Sequence, residues 1–348
     1  MLQSIALALI QKVPSFKSLS TYLAMARSSI SAAEKFEQNL QQSLKVSRFV
    51  GLNVLEEKYR FGGRTMFTIL MALTAFFMSI YAIWKVRADF LKVMGVIGYL
   101  MIIMQGVQEV WSRTLKPARY RILLEKSKKL FEHLNENEEN AEVLYDALQK
   151  TLTLQRMLIY WYNVLFTIMI SIIIVISFFG EKMLPMPLLL PGIDENTTAG
   201  FILLSIVHLM ELLVGNIIFL SIDIHFIYMV FPIIGYVNAI EAEINKLNSM
   251  LHDSACNESA ITSQFLRIYT QHRMLDEYEI TLENDHQVTN FIKIGSAVCG
   301  LVSCLLLVVV SDYVQAYLIM GLLFTQVTHY CLLGTIITVK VRNQQHLR

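Results

Sequence analysis

His208 and Glu211 stand three residues apart in an apolar stretch, a spacing that places both side chains on one face of a helix. Asn216, Asp223 and His225 follow on the same stretch. Imidazole and carboxyl groups in such surroundings could hold a metal, move a proton or orient a polar ligand. A zinc site wants three or four convergent ligands and this pair supplies two at best, so no metal is expected. No Ser-His-Asp set, Gly-rich phosphate loop or paired catalytic carboxylates stand out, so neither an enzyme nor a bound cofactor is expected. A charge at the centre of a membrane span costs about 2.5 to 3.5 kcal/mol. Two readings of His208 and Glu211 therefore stand: a polar patch in a ligand cavity or beside an aqueous path, or a pair satisfied within a helical bundle. Asp223 and His225 are expected nearer the inner membrane interface.

The elements that carry these groups follow from composition. The chain has 348 residues, 55% apolar and 16% charged, with a mean hydropathy of +0.49. Soluble domains carry about 25% charged residues, so lipid is the expected main solvent. The formal net charge of +1 supplies no basic field, and no nucleic-acid partner is expected. A bilayer core needs about 20 apolar residues per helix. Six stretches qualify, near Thr65–Trp84, Phe90–Trp111, Met157–Phe179, Gly200–Val230, Phe291–Val310 and Tyr313–Val339. The expected fold is all-α, a multi-pass transmembrane helical bundle of six spans. Met1–Ile10 lacks a leading charge and is cut short by Lys12, so it reads as an amphipathic interfacial start.

Lys and Arg cross membranes poorly, and 25 of the 29 lie in 1–64, 112–156, 235–293 and 340–348. The N-terminus is expected in the cytosol. The expected layout is a cytosolic region 1–64, spans one and two in 65–111, a cytosolic loop 112–156, and spans three and four in 157–234 around an outer loop 180–199. Cytosolic helices 235–290, spans five and six in 291–339 and a tail 340–348 complete it. Of the two sequons, at Asn196 and Asn257, only Asn196 falls outside in this layout and is the expected glycosylation site. Cys256 is expected in the cytosol and Cys299, Cys304 and Cys331 in spans, so no extracellular disulfide is expected. Ile240, Ile244, Leu247 and Leu251, then Ile261, Phe265, Ile268, His272, Leu275 and Leu282, form stripes that seek a partner helix within the chain or between subunits. Ser296, Gly300 and Cys304 recur every four residues and would let another helix approach closely.

At this point the chain resembles the insect odorant receptors along essentially its whole length. The residues that carry the resemblance are Arg48-Phe49-Val50-Gly51-Leu52 before span one, Gln271-His272-Arg273-Met274-Leu275 before span five, and above all Gln326-Val327-Thr328-His329-Tyr330-Cys331-Leu332-Leu333-Gly334. The last is similar to the family's Gln...Cys-x-x-Gly pattern. The resemblance implies a tuning subunit of an odorant-gated, non-selective cation channel. It would assemble as a heterotetramer with the odorant-receptor co-receptor, in the plasma membrane of olfactory sensory neurons. It also implies an odorant pocket among spans two, three, four and six, and cytosolic helices that anchor subunits together. The family normally has seven spans, with the pore lined by the seventh. Only 14 residues follow Gly334 here, so the expectation is a receptor lacking its pore helix.

Pocket residues follow from depth and side: Met94 and Tyr99 in span two; Met169, Ile173 and Ser177 in span three; His208, Glu211 and Leu212 in span four; Tyr317 and Met320 in span six. The 17 Met, 19 Phe and 15 Tyr suit an adaptable apolar pocket for small volatiles, although they also serve as ordinary packing and interface anchors in lipid. Rival readings are a gustatory receptor of the same superfamily, a metabotropic receptor with an outward N-terminus, and a transporter. A transporter would show broken, paired spans in two repeats, which are not seen.

Overall fold

A computed structural model describes residues 31–179, 184–252, 257–311 and 314–345. The expected amphipathic start at Met1–Ile10, and Cys256, lie outside the described residues. Ser31 opens the first helix, α1 (Ala32–Phe49), with a reciprocal cap: its hydroxyl accepts from the Glu34 backbone N–H, and the Glu34 carboxylate accepts from the Ser31 N–H. The chain then turns at Gly51, whose φ of +68° lies in the left-handed region. That turn is tied to the next helix by three donors, with Arg64 reaching the Arg48 carbonyl, Thr65 that of Gly51 and Thr68 that of Val50.

Helices α2 (Gly63–Val86) and α3 (Phe90–Leu115) form an apolar hairpin, the second capped by Asp89 accepting from Lys92 N–H. Pro117 at the first helical position starts α4 (Pro117–Asn135), where its missing N–H costs nothing. The acidic run Glu132–Glu142 spans the turn from α4 into α5 (Glu138–Phe179). Thr197 caps α6 (Thr198–Val230), and Phe231 alone separates it from α7 (Pro232–His252). Asn257 caps α8 (Glu258–Val310), which packs along α9 (Val314–Gln345). Residues 312–313, between α8 and α9, lie outside the described residues.

Among the described residues five helical segments are long and apolar enough to cross a membrane: Gly63–Val86, Phe90–Leu115, Glu138–Val175, Thr198–His252 and Glu258–Val310. The sixth apolar stretch is α9. Helices α5 and α8 hold 42 and 53 residues, hence lengths of about 60 and 80 Å. Both exceed the ~30 Å of a hydrocarbon core and run on into a polar-ended bundle. Burial is concentrated where α6 runs into α7, from Ile218 to Ile233, whereas α2 is largely exposed, so that junction is central and α2 peripheral. Accordingly Met66, Leu70, Leu73, Phe77, Ile80 and Trp84 of α2 are exposed at helical spacing, the face a lipid would cover.

Two main cores result. One joins α1, α4, α7 and the ends of α5, α6 and α8 around Phe36, Leu130, Leu148, Tyr228, Tyr236 and Tyr278. Of the amphipathic stripe, Ile240, Ile244, Ile268, Leu275 and Leu282 pack here, within the chain, whereas Leu251 and Phe265 remain exposed. Glu243 knits this bundle together, accepting from Asn137, Asn140 and Gln264 at 2.7, 2.8 and 2.5 Å. The second core joins α2, α3, α6, α8, α9 and the loop at Met186–Leu189. There Gly98 lies against Cys304, and Gly300 against Leu323 and Met101, so the small residues do permit close approach; Ser296 instead bonds the Ile292 carbonyl of its own helix.

Candidate functional site

Between α2, α3, α5, α6 and α9 the apolar helices leave a cavity of about 450 Å³. That falls within the range of small-molecule sites. Its walls are mainly apolar: Met71 and Ala75 of α2, Ile102 and Ile103 of α3, Leu165, Phe166 and Met169 of α5, Leu212 and Phe219 of α6, Leu322 and Phe324 of α9. Met186 closes one end, and the Tyr99 hydroxyl donates to the Pro185 carbonyl at 3.3 Å, fastening the loop over the cavity. Gly106 and Gly215 also face it, and a Cβ at Gly215 would meet nothing within 4 Å.

The structure brings five of the expected pocket residues to this wall: Tyr99, Met169, Glu211, Leu212 and Tyr317. Met94 and Met320 pack instead into the core beside it, and Ile173 is buried off the wall. The side chain of Ser177 lies outside the described residues. His208 and Glu211 do not pair. His208 is fully buried beside the Leu188 backbone. Glu211 faces the cavity, and neither carboxyl oxygen has a hydrogen-bond partner among the described residues. The spacing put both on one side of the helix, but that side is divided between the loop and the cavity.

At the other end of the cavity begins a chain of polar contacts. Tyr162, on the wall, donates to the Asp223 carboxylate in a short hydrogen bond. Tyr330 donates to the other Asp223 oxygen at 2.6 Å. Lys293 Nζ in turn donates to the Tyr330 hydroxyl at 2.7 Å and pairs with Glu109 at 2.6 Å, and Glu109 pairs with Arg113 at 3.4 Å. Asp223, Lys293, Glu109 and Arg113 are each no more than 3% exposed. Two carboxylates and two cations balance, which is the condition for burying charge at all. The contacts join α5, α6, α9, α8 and α3. Asp223 is thus a central junction of the packing, while His225 is bonded to the Ser221 carbonyl of its own helix. No group of three or more His, Cys, Asp or Glu that could hold a metal occurs among the described residues.

Residues 89–343 match the 7tm Odorant receptor family, well over half of the chain. The chain belongs to the odorant receptor family. It is therefore a multi-pass membrane receptor rather than a member of an enzyme family. The fold of this odorant receptor is similar to that of the insect olfactory receptor OR5 from Machilis hrabei, with a TM-score of 0.64 at 10% identity, over 83% of this chain and 74% of that one. It is similar also to the same receptor in complex with eugenol, with a TM-score of 0.62 at 10% identity, over 86% of this chain and 80% of that one. At such identity the likeness concerns the fold alone. No curated protein matches the chain.

Several features of this receptor escaped a reading by depth. Residues of α2 and the loop residue Met186 line the cavity, and neither segment was on the expected list. Tyr162 also lines the cavity and is not among the expected residues. The stripe Tyr162, Phe166, Met169, Ile173, spaced 4, 3, 4, was the available signal. Tyr330 stands inside the most specific motif of the sequence, but nothing in that motif points to Asp223, 107 positions away.

Proposed function

We propose that this odorant receptor is a tuning subunit of an odorant-gated, non-selective cation channel, assembled with the odorant-receptor co-receptor and binding small volatiles in the 450 Å³ cavity. The observation that carries the reading is that cavity: apolar, bounded by five separate helices and covered by a loop, in a chain of the odorant receptor family. Burial of apolar ligand surface at about 25 cal/mol per Å² makes such a wall sufficient for a volatile with few polar atoms. The neighbour solved with eugenol supports a ligand of comparable size. Phe265, Leu266 and Tyr269 of α8 are exposed on the polar-ended bundle, which suits an anchoring contact with partner subunits. Asn196, the proposed glycan site, is exposed in the loop before α6, where its amide donates to the Asp194 carboxylate at 2.9 Å, and Asn257 caps α8. The site of action is the plasma membrane of olfactory sensory neurons.

The test is electrophysiology in excised patches without GTP, with this chain and the co-receptor expressed together, surface labelling alongside, and a broad volatile panel. Currents absent with the co-receptor alone support the reading, and a GTP requirement would favour a metabotropic receptor. Tyr99→Ala or Met169→Ala should shift potency at unchanged surface level. Unaltered dose-response curves for the whole wall would remove the pocket assignment.

A further inference from the structure

Resting on the reading of the cavity as a ligand site, we infer that the preferred ligands are small amines, held by an ion pair between the amine nitrogen and the Glu211 carboxyl.

The inference starts from which polar groups of the wall are already engaged. The Tyr99 hydroxyl donates to Pro185, Tyr162 donates to Asp223, and Thr325 donates to the Gly321 carbonyl of its own helix. Their hydrogens are spent on protein acceptors. Among the described residues no Lys or Arg lines the cavity. Glu211 is 93% buried, and both its oxygens are enclosed without a partner among the described residues. A buried acceptor left unmatched is costly, by about 1 to 3 kcal/mol and more when charged. Asn216 and Tyr317 also reach the wall, but Glu211 is the wall side chain whose polar atoms are fully enclosed without a partner among the described residues, and a ligand that brings N–H groups relieves that deficit.

An ester or ketone brings only acceptors and leaves an ionised Glu211 unmatched. An alcohol brings a single donor. An amine brings two or three, together with a charge of the right sign. The pair is net neutral whether it forms from carboxylic acid and amine, one O–H bond giving way to one N–H bond, or from carboxylate and ammonium. No further reactant is needed. Met169, Leu212 and Ile103 then cover the carbon skeleton.

The test is direct binding to the purified full chain in lipid nanodiscs, read as ligand-induced thermal stabilisation, with benzylamine, benzyl alcohol, benzaldehyde and toluene as probes of nearly one shape. Benzylamine should bind tightest, by roughly tenfold or more over toluene, as expected for a charge-assisted hydrogen bond. Glu211→Gln should abolish that preference and keep toluene binding. Glu211→Asp, which retains the carboxyl, should keep part of it. Equal binding of all four probes, preference for benzaldehyde, or an amine preference that survives Glu211→Gln would each overturn the inference and leave the cavity reading in place. If none of the four binds, the cavity reading itself fails and the inference with it. The ladder of probes on the unsubstituted chain decides the matter even if the Gln variant does not fold.

Discussion

The Tyr330 hydroxyl donates to the Asp223 carboxylate at 2.6 Å and accepts from Lys293 at 2.7 Å, so one phenol joins an anion on α6 to a cation on α8. Since Tyr162 on the cavity wall donates to the same carboxylate, a group that touches the cavity lies three hydrogen bonds from Lys293. Low local dielectric makes such a network strong when complete and costly when broken.

Removing one member should therefore cost more than removing a matched pair. Lys293→Met removes the nearer of the two cations beside Glu109 and the donor to Tyr330, and should destabilise the receptor by about 3 to 5 kcal/mol. Combining Lys293→Met with Glu109→Gln should recover a large part of that loss. Thermal melts of the detergent-solubilised chain check this. A double variant as unstable as the sum of both singles would contradict the pairing.

Filling the cavity should separate stability from binding. Gly215 is helical, faces the cavity and has open space where a Cβ would sit. Gly215→Leu should gain up to about 1 kcal/mol of helix stability while excluding ligand, so the melting temperature rises or holds as odorant response falls by an order of magnitude or more.

Two glycines elsewhere should tolerate nothing larger. Gly51 has a φ of +68°, and a Cβ there would stand 2.5 Å from the Thr65 backbone nitrogen. Gly235 packs on α5, where a Cβ would stand 2.5 Å from that of Ala147. Alanine at either position should cost about 1 to 3 kcal/mol through strain or overpacking, seen as reduced surface level. Gly62→Ala, with its nearest neighbour at 3.8 Å, is the control and should be close to neutral.

Glu279 on α8, in the polar-ended bundle, should make stability fall with rising pH. Burial, then the neighbouring Asp276, pushes its carboxyl from the ordinary 4.5 up to about 7. Below about 4.5 both folded and unfolded chains hold the proton and no penalty applies; between 4.5 and 7 the unfolded chain ionises first, so folding loses stability until both are charged. Glu279→Gln should leave the melting temperature at pH 4.5 unchanged and raise it at pH 8. An increase of equal size at both values would point to packing instead.

The all-helical membrane architecture was legible in the sequence because hydrophobic length and helical period are local properties: a run of about 20 apolar residues must close its own backbone hydrogen bonds wherever it lies. Likewise Thr197 and Asn257 announce helix starts from their immediate neighbours. Depth along a span brought Tyr99, Met169, Glu211, Leu212 and Tyr317 to the level of the cavity, yet depth says nothing of rotation, and Met94, Ile173, His208 and Met320 are packed away from the cavity wall. The separate fates of His208 and Glu211, three residues apart, show the limit of spacing. Which face of a helix meets the cavity is set by the neighbours it packs against, and those come from distant parts of the chain. The same holds for Glu109, Asp223, Lys293 and Tyr330. Each is an isolated polar residue in its own stretch, and only the packing of α3, α6, α8 and α9 makes them partners, because charges buried from water must find one another.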